Sequence, residues 1–458
     1  MPHVFAVMMI IMFLVVVMSW IIPSGNFERT EDAAGNMIVN PDAFHYVDKT
    51  NPIGLLDFFQ ASFDGFVQAA EIIASLFLCA GALKVLEDTG AFSAAIHALI
   101  RKNKGNEIAI VILFYTIFSI FGILGYGEQE YPFYPITVSV IMALGYDRLA
   151  GGAVMMIASG SGFTSGMINL FTTGVSQEIV GLPLFSGLGF RAVSFVVFYL
   201  IGLLCVIRYC KKIKKDPEKS LVYDEYKLQL EGKIKDERIG EAIPLSYKHV
   251  VALLLFLIIV IVQGVGCIKF QWGMSEVAGL YVMAVIPLIV LFRLEVSKAC
   301  QSFIDGAASM LDACLVVGLA NGVMVLMEQA NILDTIVYFM GNALSGKSTA
   351  VTLLLILLFV TGLNFFVSSG SGKAMMMMPI MSPLGKLLGI NQQVMVLTYQ
   401  FGDGFTNNLW PSGVLVGVSL CKLDYGIWFK FAWKVLSLQL ISAYILILIA
   451  NAINLGPF

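Results

Sequence analysis

The sequence predicts an all-helical polytopic membrane protein built from two inverted-topology repeats, with nine full spans and two re-entrant helical hairpins. Three observations predict it. Of 458 residues, 58% are hydrophobic and only 13% charged, about half the charged share of a soluble domain, and the mean hydropathy is +0.85. A set of short motifs recurs once at a nearly constant offset, with an odd number of spans between the copies. Lysine and arginine crowd some loops and avoid others.

A helix needs about 20 largely apolar residues to cross a bilayer. Nine segments qualify: 4–22, 66–86, 149–171, 184–207, 249–266, 277–292, 303–327, 394–418 and 428–453. The first is long for a signal-peptide core, and Pro23-Ser24-Gly25 is a poor cleavage site, so a retained span is expected. Stretches 106–145 and 348–389 are apolar but interrupted halfway by glycine and polar residues. Each reads as helix, tip and helix. Stretches 89–99 and 331–344 read as short amphipathic connectors along the membrane surface.

Orientation follows from basic residues in short loops. Segment 208–248 holds Lys211, Lys212, Lys214, Lys215, Lys219, Lys227, Lys233, Lys235 and Arg238, and is expected in the cytoplasm. The loops with Arg101, Arg148, Arg293 and Lys422 belong on the same side. Loop 23–60 has two basic residues, Arg29 and Lys49, against six acidic ones, and belongs outside. Nine spans satisfy this only if both hairpins re-enter on the side they came from. That puts the N-terminus in the cytoplasm and the C-terminus outside, in the plasma membrane. The expected division is a first repeat at 1–208, a basic loop at 209–248, a linking span at 249–266 and a second repeat at 267–458.

The repeat is read from matched motifs. Asp64-Gly65 matches Asp305-Gly306, Glu71 matches Asp312, and Glu87 matches Glu328. Tip Gly125-Tyr126-Gly127-Glu128 matches Gly370-Ser371-Gly372-Lys373. Gly160-Ser161-Gly162-Phe163-Thr164 matches Gly402-Asp403-Gly404-Phe405-Thr406. Five spans separate Asp64 from Asp305, so the copies are upside down relative to each other. That is the plan of secondary transporters, whose sites lie where broken helices meet.

The chemistry is expected at four breaks: the tips 122–130 and 368–373, and the glycine-rich stretches 159–169 and 402–408. Bare backbone at membrane depth must face protein or a wet cavity. Helix N-termini there attract anions and C-terminal carbonyls attract cations. The candidate solute-binding residues are Gly127, Glu128, Glu130, Thr164, Ser165, Asn169, Ser369, Ser371, Gly372, Lys373, Asp403, Thr406, Asn407 and Asn408. Charges inside a membrane are expensive. Glu128, Glu130 and Asp403 against Lys373 leave an acidic excess that calls for a cation, a proton or a cationic solute. These three acids are therefore the ion-coupling candidates, with sodium or a proton as the ion. Glu71 and Asp312 are expected mid-span, as scaffold groups.

Several patterns carry nothing further. Gly341-Asn342-Ala343-Leu344-Ser345-Gly346-Lys347-Ser348 fits the phosphate-loop spelling, but that motif needs a preceding buried strand. No nucleotide or nucleic acid is expected as a partner. The scattered cysteines and four histidines suggest no metal centre. Met375 to Met378 point around a whole helix turn and read as packing.

These motifs resemble those of YfcC/DcuC-type carriers. The likeness is carried by Met1-Pro2-His3, Trp20-Ile21-Ile22-Pro23-Ser24-Gly25, Gly127-Glu128 and Gly145-Tyr146-Asp147. It continues in Gly181-Leu182-Pro183-Leu184-Phe185-Ser186-Gly187, Ser369-Gly370-Ser371-Gly372 and Phe401-Gly402-Asp403-Gly404-Phe405, so it runs over nearly the whole chain. It implies a member of the ion-transporter superfamily, with a dimerising scaffold and a transport part moving as an elevator. Carriers of this type take dicarboxylates or exchange basic amino acids. Lys373 and the run Asn407–Gly413 depart from the family's usual pattern.

The function expected is secondary active transport of a small charged solute. Exchange of basic amino acids leads, because of the acidic excess. The alternative is sodium- or proton-coupled uptake of a dicarboxylate, with Lys373 and helix N-termini as the anion site. An enzyme is not expected, since no Ser–His–Asp set or HExxH pattern is present. A channel suits two opposed glycine-rich tips less well than alternating access.

Overall fold

The computed structural model describes residues 4–31, 37–48, 53–102, 106–233, 244–270, 272–344 and 346–456. Helix α1 (Val4–Ile21) leads into strands β1 (Gly25–Glu31) and β2 (Met37–Tyr46). Then come α2 (Leu55–Gln68), α3 (Ala70–Asp88), α4 (Ala91–Lys102) and the hairpin arms α5 (Glu107–Ile123) and α6 (Tyr134–Ala143). Helix α7 (Arg148–Ser165), the short α8 (Val175–Ile179) and the long α9 (Leu188–Lys215) follow. Helix α10 (Tyr223–Leu230) lies in the basic loop, and α11 (Tyr247–Phe270) and α12 (Met274–Phe292) come after it. The second half runs through α13 (Val296–Ala308), α14 (Leu311–Gln329), α15 (Leu333–Leu344) and the arms α16 (Thr349–Leu363) and α17 (Gly370–Leu387). It ends with α18 (Gln392–Gly404), α19 (Pro411–Leu420) and α20 (Tyr425–Ala452).

The chain is mostly helical, and the all-helical expectation is corrected at the β1–β2 hairpin. Its cause is local and tertiary at once. Phe27 and Phe44 face each other across the ladder, and Phe44 stacks on Tyr338 of α15 at 4.0 Å between ring centres. Buried Asp334 accepts from the Phe27 amide at 3.0 Å and pairs with Arg29 at 2.9 Å. The hairpin is therefore docked on α15 through aromatic and ionic contacts.

Among the described residues, three helices, α9, α12 and α20, are long and apolar enough to cross a membrane, or up to five crossings if each bent helix pair counts as one. The other expected spans correspond to shorter or divided apolar helices. Expected span 66–86 is divided at Ala69, where α2 and α3 meet at 56°. Expected span 303–327 is divided at Met310, between α13 and α14. Glu71 and Asp312 thus sit in the first turns of α3 and α14, just after the divisions. There an acid complements the helix dipole. Alanine and methionine carry no breaker signal, so these divisions are silent in the sequence.

Several corresponding elements start at a nearly constant spacing. Ala70 and Leu311, which open α3 and α14, are 241 residues apart, and Glu107 and Thr349, which open the hairpins, are 242 apart. The packing exchanges the halves as well. Gly65 of α2 lies against the backbone of Gly318 and Gly322 in α14, and Gly306 of α13 lies against Ala80 and Gly81 in α3. Gly306 is the match of Gly65, and Gly322 that of Gly81, at the same 241-residue offset. Small residues permit such close crossings.

Part of the basic loop is bound to the first hairpin. Tyr226 donates to the Gly145 carbonyl at 2.8 Å, and Gln229 to those of Met142 and Tyr146 at 3.0 and 2.9 Å. Asp147 caps α7 through the Ala150 amide at 2.7 Å and accepts from Tyr209 and Ser220, both at 2.6 Å.

A cavity between two helical hairpins and two broken helices

The first break begins where α7 ends. Thr164 donates to the Gly160 carbonyl at 2.7 Å and Ser165 to that of Gly162 at 2.6 Å, so both hydroxyls turn back on their own helix. Gly166 takes a left-handed conformation and ends the helix. Asn169 then accepts from the amides of Phe171 and Thr172 at 3.0 and 3.2 Å. It is fully buried and packs on Gly125 of the first tip, whose φ of +78° favours glycine. Gln400 of α18 caps the exposed Phe163 carbonyl at 2.7 Å.

The second break is held the same way. Thr406 repeats the back-bond of Thr164, donating to the Gly402 carbonyl at 3.2 Å. Asn364, at the C-terminus of α16, reaches across. Its Nδ2 lies 2.9 Å from the Asp403 carbonyl, 2.8 Å from Thr406 Oγ1 and 2.9 Å from Asn407 Oδ1, three acceptors for two hydrogens. Trp410 donates to the Thr361 carbonyl at 2.6 Å, and Trp428 to that of Asn408 at 2.8 Å. Carbonyls freed by unwinding are thereby satisfied, as a bilayer interior demands. The two breaks also touch. Gly160 faces the Asn408 side chain and Gly404 faces Thr164, without space for a Cβ in either place.

Tips and breaks enclose a cavity of about 360 Å³, within the roughly 300–1,000 Å³ of small-molecule sites. The first tip contributes Gly125, Tyr126, Gly127, Glu130 and Tyr131. The second contributes Ser368, Ser369, Gly370 and Ser371, which form the N-terminus of α17, and Ser369 caps it through the Gly372 amide at 3.2 Å. The breaks add Ser159, Gly160, Gly404, Asn407 and Asn408. Ile72 of α3, Met274 of α12 and Asn321 of α14 also line the cavity.

Of the residues expected to bind solute, the cavity wall includes Gly127, Glu130, Ser369, Ser371, Asn407 and Asn408. Thr164, Ser165, Asn169, Gly372 and Thr406 stand behind it, bracing the backbone. Lys373 and Asp403 do too. Both are fully buried and form an ion pair at 2.5 Å, and the ammonium also donates to Asn364 Oδ1. Glu128 opens the 3-10 turn Glu128–Phe133, and its side chain lies outside the described residues. The electrostatic balance of the wall is thus simpler than the sequence suggests. Among the described residues that line it, Glu130 is the one carboxylate, and there is no lysine or arginine. Glu130 is only 3% exposed and accepts from Tyr134 at 3.0 Å.

Sequence reasoning missed Tyr126, Tyr131, Asn321 and Ser412 on the wall, and Asn364 behind it. Asn364 had a signal, because a carboxamide at the end of the apolar run 349–367 is costly without a partner. The tyrosines did not, since aromatic residues are common in apolar helices.

Comparison with known proteins places this arrangement. A protein of Escherichia coli (strain K12) bearing the name "Putative basic amino acid antiporter YfcC" is 30% identical over 98% of this chain and 96% of its own length. An uncharacterised Haemophilus influenzae protein is 29% identical over the same shares. Among solved structures, Neisseria gonorrhoeae MtrF, of a class of antimetabolite efflux pumps, aligns with TM-score 0.42 and 16% identity, covering all of this chain and 96% of its own. The Alcanivorax borkumensis YdaH transporter aligns with TM-score 0.45 and 15% identity over the full length of both chains. The family model for DcuC, the C4-dicarboxylate anaerobic carrier, matches residues 1–452, and the chain belongs to this family of multi-pass membrane transporters.

Proposed function

We propose that this transporter exchanges basic amino acids by alternating access. The observation that carries the reading is the cavity wall, with the Glu130 carboxylate on one tip and the α17 N-terminus on the other. A basic amino acid presents a cation and a carboxylate. Glu130 would hold the cation, and the positive N-terminus of α17 the carboxylate. The paired and buried state of Lys373 argues against a lysine-based anion site. The relative named as a basic amino acid antiporter agrees with this reading.

The cavity is lined both by the tips and breaks and by residues of α3, α12 and α14. That lining supports an elevator, with hairpins and broken helices as the moving part and a dimerising scaffold around α3 and α14. The exchanged glycine contacts of α2–α14 and α3–α13 support the inverted repeats. Loop contacts support the sidedness: β1 and β2 meet α15 on the side assigned outside, and α10 meets Gly145 and Arg148 on the cytoplasmic side.

The test is uptake of labelled arginine into proteoliposomes preloaded with ornithine, beside empty vesicles and excess succinate. Uptake that needs the preload and ignores succinate is the expected result. Absence of arginine uptake, together with succinate entry on a sodium or proton gradient, would replace this reading with dicarboxylate transport.

A further inference from the structure

Lys373 sits where helix electrostatics disfavour it. It lies in the first turn of α17, the positive end of that helix. Its ammonium is instead surrounded by features that attract a cation. Asn364 caps the C-terminus of α16 and Asp403 is in the last turn of α18, and both side chains reach Nζ. The groups that accept from it are a carboxylate and a carboxamide oxygen, both from fully or almost fully buried side chains. Apart from the ammonium, neither Asp403 oxygen has a hydrogen-bond donor among the described residues. The first half has no such pair. By the motif matches, its counterparts of Lys373 and Asp403 are Glu128 and Ser161. Ser161 there makes neutral contacts with Gln439 and Tyr115, at 2.8 and 3.3 Å.

We propose that the Lys373 ammonium is a tethered cation, filling an oxygen-lined site at the second break that would otherwise bind a small inorganic monovalent cation. The tether ties the hairpin to α18. Gly370, on the cavity wall, approaches the Asp403 carboxylate, and Tyr399 of α18 donates to the Gly370 carbonyl. In a chain with a free ion here, the tip would close only with the ion bound. With the cation built in, the second tip is set without one, so cycling needs no sodium or potassium at this break. The inference concerns ion occupancy and does not depend on which solute fills the cavity.

Removing the tether should uncover the site. Purified wild-type protein and Lys373→Ala are melted in sodium, potassium or choline chloride at matched ionic strength. The wild type should melt at one temperature in all three. Lys373→Ala should gain a saturable rise of about 3–5 °C in sodium or potassium over choline, and Lys373→Ala/Asp403→Asn should lose it. If Lys373→Ala folds only when purified in sodium or potassium, the proposal stands, since the ion then replaces the tether. Lys373→Ala that melts alike in all three salts, or fails to fold in all three, overturns it. So does a wild type stabilised by either ion in a manner that Asp403→Asn removes. Arginine exchange is not read in these melts, so their outcome is separate from that of the uptake assay.

Discussion

Glu130 and Lys373 carry opposite charges at matched hairpins, yet only Glu130 lines the cavity. Their residue types and the need to offset buried charge were legible in the sequence. Which acid takes the lysine was not, because three carboxylates were within plausible reach along the chain. Geometry gives Asp403 to Lys373 and leaves Glu130 facing the cavity. The proposed function therefore makes a sharp demand on one carboxylate. Glu130→Gln keeps the hydrogen bond from Tyr134 but removes the charge. Losing one partner of a buried charged contact costs about 2 kcal/mol or more, so arginine exchange should fall at least about thirtyfold, with expression and elution profile unchanged. Exchange at the wild-type rate would remove Glu130 from the cation site. Thr164, Ser165 and Thr406 show the limit of reading side chains singly. Each looks like a ligand on paper, and each spends its hydroxyl on its own helix.

At the scale of the element, apolar length located the helices well. The expected hairpin 106–145 contains α5 and α6, and 348–389 contains α16 and α17. Breaks rich in glycine were visible, whereas the divisions at Ala69 and Met310 were not. Close helix crossings form another kind of hidden element contact. Gly122 of α5 and Gly162 of α7 press on each other's helix backbones, at Ser159 and Ser119 respectively. Backbone cannot yield as a side chain can. Gly162→Val should therefore destabilise the protein by about 2–3 kcal/mol and lower its melting temperature and yield. Gly189 of α9 meets nothing within 4 Å of a built Cβ, so Gly189→Ala should melt within a degree or so of wild type. Equal behaviour of the two variants would mean that the α5–α7 crossing is looser than described. The β1–β2 hairpin could not be anticipated from strand signals alone. A two-stranded hairpin is marginal in isolation, and this one leans on Asp334 and Tyr338, some 300 residues away.

For the whole molecule, the distribution of lysine and arginine sorts the loops into two sets, and three ion pairs among the described residues each join members of one set. Arg29 reaches Asp334, both in the set proposed to lie outside, while Arg148 reaches Glu225 and Lys214 reaches Glu107, all in the set proposed to lie in the cytoplasm. Single cysteines placed within 23–60 of a cysteine-free background should react with an impermeant maleimide on intact cells. Those within 211–238 should react only after permeabilisation, and the reverse pattern would invert the topology. Membership of the carrier family and the helical class were determined by sequence alone. Apolar length, glycine and charge in loops act through the solvent each residue meets, and that is written locally. The tertiary structure decided which charges neutralise each other, which polar groups brace backbone and which face the cavity. Those outcomes depend on distances of a few ångströms between residues hundreds of positions apart, and no local pattern encodes them.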